Sequence, residues 1–156
     1  MKLSEMRELL AARDIRLTKS LGQNFLHDGN QLRRILDAAE VKRTDKALEI
    51  GPGLGPLTEL LLANAGEVMA IEKDARLVEV LRERFKVGQA SRLSGAGETP
   101  ALHLLHDDAL EFLKREPRDW SEWKLVSNLP YSAASRIVVS PVRACAVSTS
   151  ARVRTR

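Results

Sequence analysis

The sequence predicts an α/β protein, a parallel sheet with helices on both faces. Two observations carry that prediction. Short apolar runs alternate along the chain with stretches whose apolar residues recur every three or four positions, the pattern of strands joined by helices. The first run, "KALEI", is followed by "GPGLG" and then by a helical stretch opening on Pro56, so a glycine turn links the first strand to its helix.

The elements follow in order. Leu3, Met6, Leu9 and Leu10 give helical spacing over 4–13. Residues 14–28 are polar and irregular. A second helix is expected over 29–40, with Leu32, Ile35, Leu36 and Ala39 on one face and Asp28 as its N-cap. "KALEI" (46–50) is a buried strand, and Leu57, Leu60 and Leu61 mark a helix from Pro56 to about Ala65. "EVMAIE" (67–72) is the second strand, and "DARLVEVLRERF" (74–85) a helix capped by Asp74. Residues 86–101, "KVGQASRLSGAGETPA", are small, polar and Gly-rich. Connections in α/β units usually take 2–6 residues, so this stretch reads as a loop insertion. "LHLLH" (102–106) is the third strand, "DALEFLKRE" (108–116) a helix and "WKLVS" (123–127) the fourth strand. From about Ser140 the chain loses all periodicity and carries no acids. Residues 140–156 are therefore expected to lie outside the native fold, and 1–139 to form the domain.

Composition narrows the function classes. The chain of 156 residues is 44% hydrophobic and 29% charged, ordinary values for a soluble domain. No apolar run approaches the ~18 residues of a membrane span, and the N-terminus lacks the apolar segment of a signal peptide. One cysteine, Cys145, rules out an intrachain disulfide and a cysteine-cluster metal site. A cytoplasmic protein is expected. The net charge of +4 comes wholly from Arg143, Arg152, Arg154 and Arg156, the remainder being balanced, so the basic pI is a weak pointer to nucleic acid.

The chemistry collects where strands end, as ligands do in open α/β sheets. Gly51, Gly53 and Gly55 let a ligand approach the backbone beside a helix N-terminus. The spacing is Gly-x-Gly-x-Gly rather than the dinucleotide Gly-x-Gly-x-x-Gly, and a glycine turn can equally serve tight packing. Glu72 closes the second strand and can accept from both hydroxyls of a ribose, or cap the next helix as a solvated acid beside Lys73. Of Asp107 and Asp108, one can cap the following helix and the other accept from the exocyclic amine of an adenine, Asp108 being preferred for the adenine. His103 and His106 alternate with leucines and read as strand-edge residues, and no metal site is expected.

"NLPY", 128–131, is the most specific stretch. An adenine N6 is a poor nucleophile because its lone pair is delocalised into the ring. Two acceptors binding both of its hydrogens draw it towards tetrahedral geometry. Asn128 Oδ1 and the Leu129 carbonyl can be those acceptors, with Pro130 fixing the turn and Tyr131 stacking on an extruded base. No strong base is required, since the methylated nitrogen becomes acidic, and positioning does most of the work. The competing reading is an Asn that caps the next helix and a Tyr in the core.

Taken together, "LTKSLGQNFLHD", "ALEIGPGLGPLTELL", "VMAIEKD", "LLHDDAL" and "VSNLPYSAAS" resemble the ribosomal RNA adenine dimethyltransferases of the KsgA type, in order over about 17–139. The resemblance implies a Rossmann-like sheet that uses S-adenosyl-L-methionine and dimethylates N6 of two adjacent adenines in the 3′-terminal hairpin of small-subunit rRNA during ribosome assembly. It implies a monomer whose partner is the immature 30S particle. By position, it assigns Asn24, Leu26, Gly51, Gly53, Glu72, Asp108 and Asn128 to the cofactor. Asn128, Leu129, Pro130 and Tyr131 fall to the reacting adenine. Erm-type large-subunit enzymes, DNA adenine methyltransferases and a non-catalytic RNA-binding remnant are the alternatives. The family continues past the catalytic motif with further strands and a helical RNA-binding domain. The expectation is therefore a sheet truncated before its last strands, the Arg-rich tail a product of a frameshift near residue 140, and impaired activity.

Overall fold

The computed structural model describes residues 3–15, 28–87, 101–116, 119–129 and 143–148. Their elements run α1 (Leu3–Ala12), α2 (Gly29–Ala39), β1 (Lys46–Ile50), α3 (Pro56–Asn64), β2 (Glu67–Glu72), α4 (Ala75–Arg84), β3 (Ala101–His106), α5 (Ala109–Arg115), β4 (Trp123–Asn128) and β5 (Arg143–Ser148). The five strands form one sheet in the order β3-β2-β1-β4-β5, every neighbouring pair parallel.

Alternation along the strands explains why both faces are covered. In β1, Leu48 and Ile50 face one side and join Met69, Ile71 and Leu125 under α5, packed on Phe112, Leu113, Trp120 and Trp123. Ala47, Val68 and Val126 face the other side, against Leu32, Ile35 and Ala39 of α2 and Leu57 and Leu61 of α3. The small Ala47 lets two helices approach the sheet there. A third cluster joins α1 to α4, with Met6, Ile15, Leu77 and Val80 packed around Leu54.

Helix starts follow the expected chemistry. Asp28 caps α2 by accepting from the Asn30 N–H at 2.9 Å, and Asp74 caps α4 from the Arg76 N–H at 3.0 Å. Pro56 occupies the first turn of α3. β3 lies at the sheet edge with half its residues exposed, so His103 and His106 are strand-edge residues as expected.

One expectation is corrected. The tail 140–156 was assigned outside the fold, yet Arg143–Ser148 forms β5, in register from Lys124↔Arg143 to Asn128↔Ser148 with one irregularity at Leu125/Val126. Pairing of this kind needs backbone N–H and C=O groups rather than side-chain periodicity, so small residues suffice. The stretch expected as an insertion, 86–101, falls mostly on residues 88–100, which lie outside the described residues, and β3 begins at Ala101, within the expected bounds.

Candidate functional site

The strand order reverses direction at β1. The chain moves outward through β2 and β3, then returns to place β4 on the other side of β1. A crevice forms at the carboxyl ends of strands where an open α/β sheet switches in this way. Here the backbone pairing of β1 with β4 reaches Leu48↔Leu125. Beyond it the Ile50 N–H donates to the Ser127 hydroxyl at 2.8 Å, a buried side chain in place of a backbone carbonyl. The next residues along the two strands are Gly51 and Asn128, so the glycine turn and the end of β4 lie side by side.

Gly51, Gly53 and Gly55 have φ of +66°, +62° and +80°. Two of them have different reasons to be glycine. Among the described residues, a Cβ on Gly51 would meet nothing within 4 Å, so they leave that face of the turn open. A Cβ on Gly55 would lie 2.6 Å from Phe85 Cε2 and 2.8 Å from Leu81 Cδ2, so this glycine lets α4 pack against the turn. The two readings of the motif, ligand approach and tight packing, both hold at different positions.

Glu72 grips the turn from the side. Its Oε2 accepts from the Gly53 N–H at 3.1 Å, and its Oε1 accepts from the Lys73 and Asp74 N–H groups, each at 2.9 Å. Burial raises its pKa, and those three donors oppose the rise. A carboxylate offers about four acceptor positions, so three backbone donors leave about one for a ribose hydroxyl.

Beneath the turn lies Glu49, 2% exposed, accepting from the Thr58 hydroxyl at 2.6 Å. Burial pushes its carboxyl up to about 8, the Thr58 hydrogen bond opposing and neighbouring Glu72 adding to the rise. At neutral pH it carries a proton. Arg84 braces the turn from α4, its guanidinium bonding the Leu54 carbonyl and Glu59.

Asp108 is the capping aspartate as well as the residue preferred for the adenine. Its Oδ1 accepts from the Leu110 N–H at 3.0 Å and the Glu111 N–H at 3.3 Å, while its Oδ2 accepts from Lys73 Nζ at 2.8 Å. The lysine holds its pKa below the usual carboxylate value. Asp107 instead pairs with Arg115.

Of the residues singled out in the sequence, the structure thus brings Gly51, Gly53, Glu72 and Asp108 to the carboxyl ends of β1, β2 and β3, with Asn128 and Leu129 at the end of β4. Leu129 is 4% exposed and packs in the core cluster under α5. Asn24, Leu26, Pro130 and Tyr131 lie outside the described residues. Sequence reasoning missed Thr58, Arg84, Ser127 and the Lys73 ion pair. A hydroxyl in the first turn of the apolar "PLTELLL", and another inside the buried "KLVS", were the available signals. Among the described residues there is no cluster of three or more metal-ligating side chains, and no helix long and apolar enough to cross a membrane.

Comparison with known proteins adds an independent line. The family model described as ribosomal RNA adenine dimethylase matches residues 15–153. Ribosomal RNA small subunit methyltransferase A of Dehalococcoides mccartyi is 37% identical over 137 residues, 87% of this chain and 43% of the relative. The protein of that name from Nocardia farcinica is 42% identical over 136 residues, 87% of this chain and 44% of the relative. The chain therefore spans less than half the length of these relatives. Among solved structures, the 23S rRNA methyltransferase ErmE superposes with a TM-score of 0.60 at 31% identity, over 80% of this chain and 45% of that one. A dimethyladenosine transferase from Plasmodium falciparum gives 0.55 at 26% identity, over 74% and 37%.

Proposed function

The chain belongs to the ribosomal RNA adenine dimethylase family, and we propose that it serves the transfer of methyl groups from S-adenosyl-L-methionine to N6 of two adjacent adenines in the 3′-terminal hairpin of small-subunit rRNA. Its partner in this reading is the immature small subunit, met in the cytoplasm by a monomer. The observation that carries the reading is the meeting of the open glycine turn and Asn128 at one switch point, tied by the Ile50–Ser127 hydrogen bond at 2.8 Å.

The residues present fit such a cofactor. The open face at Gly51 admits a ligand to the backbone. Glu72 retains acceptor capacity for a ribose, and Asp108 presents a carboxylate one strand further along. S-adenosyl-L-methionine, when bound, supplies a methyl group activated by its sulfonium. The chain's own residues do the rest. Asn128 Oδ1 and the Leu129 carbonyl accept the two N–H hydrogens of the target amine and free its lone pair. By position in the family motifs, Pro130 and Tyr131 would complete the adenine pocket, and Asn24 and Leu26 would touch the cofactor. The surplus proton leaves to water, because the methylated nitrogen is acidic and needs no strong base.

The test is methyl incorporation from labelled cofactor into immature small subunits, large-subunit RNA and naked DNA. Transfer to small subunits is expected, with Asn128→Ala lowering kcat by about 10²–10³-fold, as for other lost transition-state contacts. The structural likeness to ErmE favours a second reading, methylation of large-subunit RNA, and label confined to that RNA would establish it. A folded chain that binds cofactor yet labels none of the three would instead be a non-catalytic RNA-binding protein.

A further inference from the structure

Lys73 bridges the two acids expected to hold an adenosine. It is the first residue after β2, its N–H donates to Glu72 Oε1 at 2.9 Å, and its Nζ donates to Asp108 Oδ2 at 2.8 Å. Asp108 Oδ1 is already engaged by the cap of α5. The oxygen that remains for a ligand amine therefore carries the lysine ammonium. Both are N–H donors, so the ammonium occupies the place of an exocyclic amine. The pair sits at the rim, with side-chain exposures of 65% for Lys73 and 35% for Asp108. Exposed pairs of this kind contribute little and are screened by salt, so the lysine is easily displaced.

We propose that Lys73 is a specificity-determining residue for the base of the cofactor, a placeholder on Asp108 that an amino-purine displaces and an oxo-purine does not. The inference rests on the cofactor reading above. A 6-amino group takes over the bond that Lys73 gives up. A 6-oxo group is an acceptor, which a bare carboxylate would repel. With Lys73 in place the ammonium stays between the two oxygens and serves both. Lysine thus weakens amino-purine binding slightly and rescues oxo-purine binding, narrowing the discrimination between them.

The experiment is calorimetric titration of the full chain and its variants with S-adenosylhomocysteine and with S-inosylhomocysteine. Lys73→Met should tighten the adenosyl ligand about two- to fivefold, the worth of an exposed ion pair, and should not tighten the inosyl ligand. Lys73→Arg, which keeps the ion pair, should resemble the unaltered chain. The gap between the Met variant and the unaltered chain should close at ~1 M salt. Weaker adenosyl binding by Lys73→Met, or an equal shift for both ligands, overturns the proposal, since Lys73 would then simply attract ligand or support the fold. If the unaltered chain binds the adenosyl ligand while Lys73→Met changes neither affinity, this proposal fails and the cofactor reading stands. If the unaltered chain does not bind the adenosyl ligand at all, both fail.

Discussion

Alanine at Gly51 and alanine at Gly55 should separate the two jobs of the glycine turn. Both residues sit at positive φ, +66° and +80°, where a side chain costs about 1–2 kcal/mol. Stiffening the unfolded chain returns about 0.4–1 kcal/mol in each case. These contributions nearly cancel between the variants. What differs is space. Among the described residues the new methyl at Gly51 meets nothing within 4 Å, whereas that at Gly55 comes within 2.6 Å of Phe85 and 2.8 Å of Leu81. Phe85 cannot swing aside freely, because its ring lies under the Arg84 guanidinium at 4.9 Å and that guanidinium holds the Leu54 carbonyl. Overpacking of this sort costs about 1–3 kcal/mol. At ~2–4 °C per kcal/mol for a chain of this size, Gly55→Ala should melt roughly 2–12 °C below Gly51→Ala. Binding should split differently, with Gly51→Ala retaining its fold and losing S-adenosylhomocysteine by at least about tenfold, a loss of ~1.4 kcal/mol. Thermal unfolding followed by circular dichroism, with calorimetric titration on the same samples, reads both. Equal melting temperatures would refute the packing argument. Unchanged affinity in Gly51→Ala would refute the assignment of its open face to the cofactor.

Three further outcomes are expected. Glu49 holds its proton more tightly folded than unfolded. Its burial is therefore harmless below the ordinary value of 4.5 and increasingly destabilising as pH rises to about 8. Glu49→Gln should flatten that fall, which proceeds at no more than ~1.4 kcal/mol per pH unit; urea melts at several pH values check it, and an unchanged slope would mean that Glu49 is ionised when folded. Ser127→Ala leaves the buried Ile50 N–H without its acceptor and should cost about 1–3 kcal/mol in denaturant melts, with cofactor affinity falling as the crevice loosens. Gly66→Ala puts a methyl 2.4 Å from the Arg43 carbonyl oxygen, a backbone atom that cannot rotate away, and should cost about 1–3 kcal/mol without altering the glycine turn.

The strands, the helices that join them and the acids at their ends were legible because each leaves a local mark. Apolar runs, Asp28 and Asp74 as caps, and Pro56 at a helix start are all read within a few residues. The sequence also placed Glu72, Asp108 and Asn128 at strand ends, where they are found. What was not legible depends on distant partners. The reason for Gly55 lies in Phe85, and the partner of Asp108 is Lys73, 35 residues away. Ser127 looks like any strand serine until β4 returns beside β1. β5 is not legible because an edge strand can be held by backbone pairing alone, and "RACAVS" carries a single β-branched residue, Val147, and no aromatic.

The hydrogen bond from Ile50 to Ser127 joins residues 77 apart in sequence. At a synthesis rate of ~5–20 residues per second, the glycine turn leaves the ribosome roughly 4–15 s before its partner strand. β1 and β2 can pair during that interval, since their register spans a short connection. Until β4 arrives, one edge of β1 stays open to any other strand. The crevice thus waits for β4, and its formation is governed by long-range closure rather than by local propensity. A nascent chain paused before Trp123 would already hold the glycine turn, yet would lack the strand that forms the other wall of the crevice.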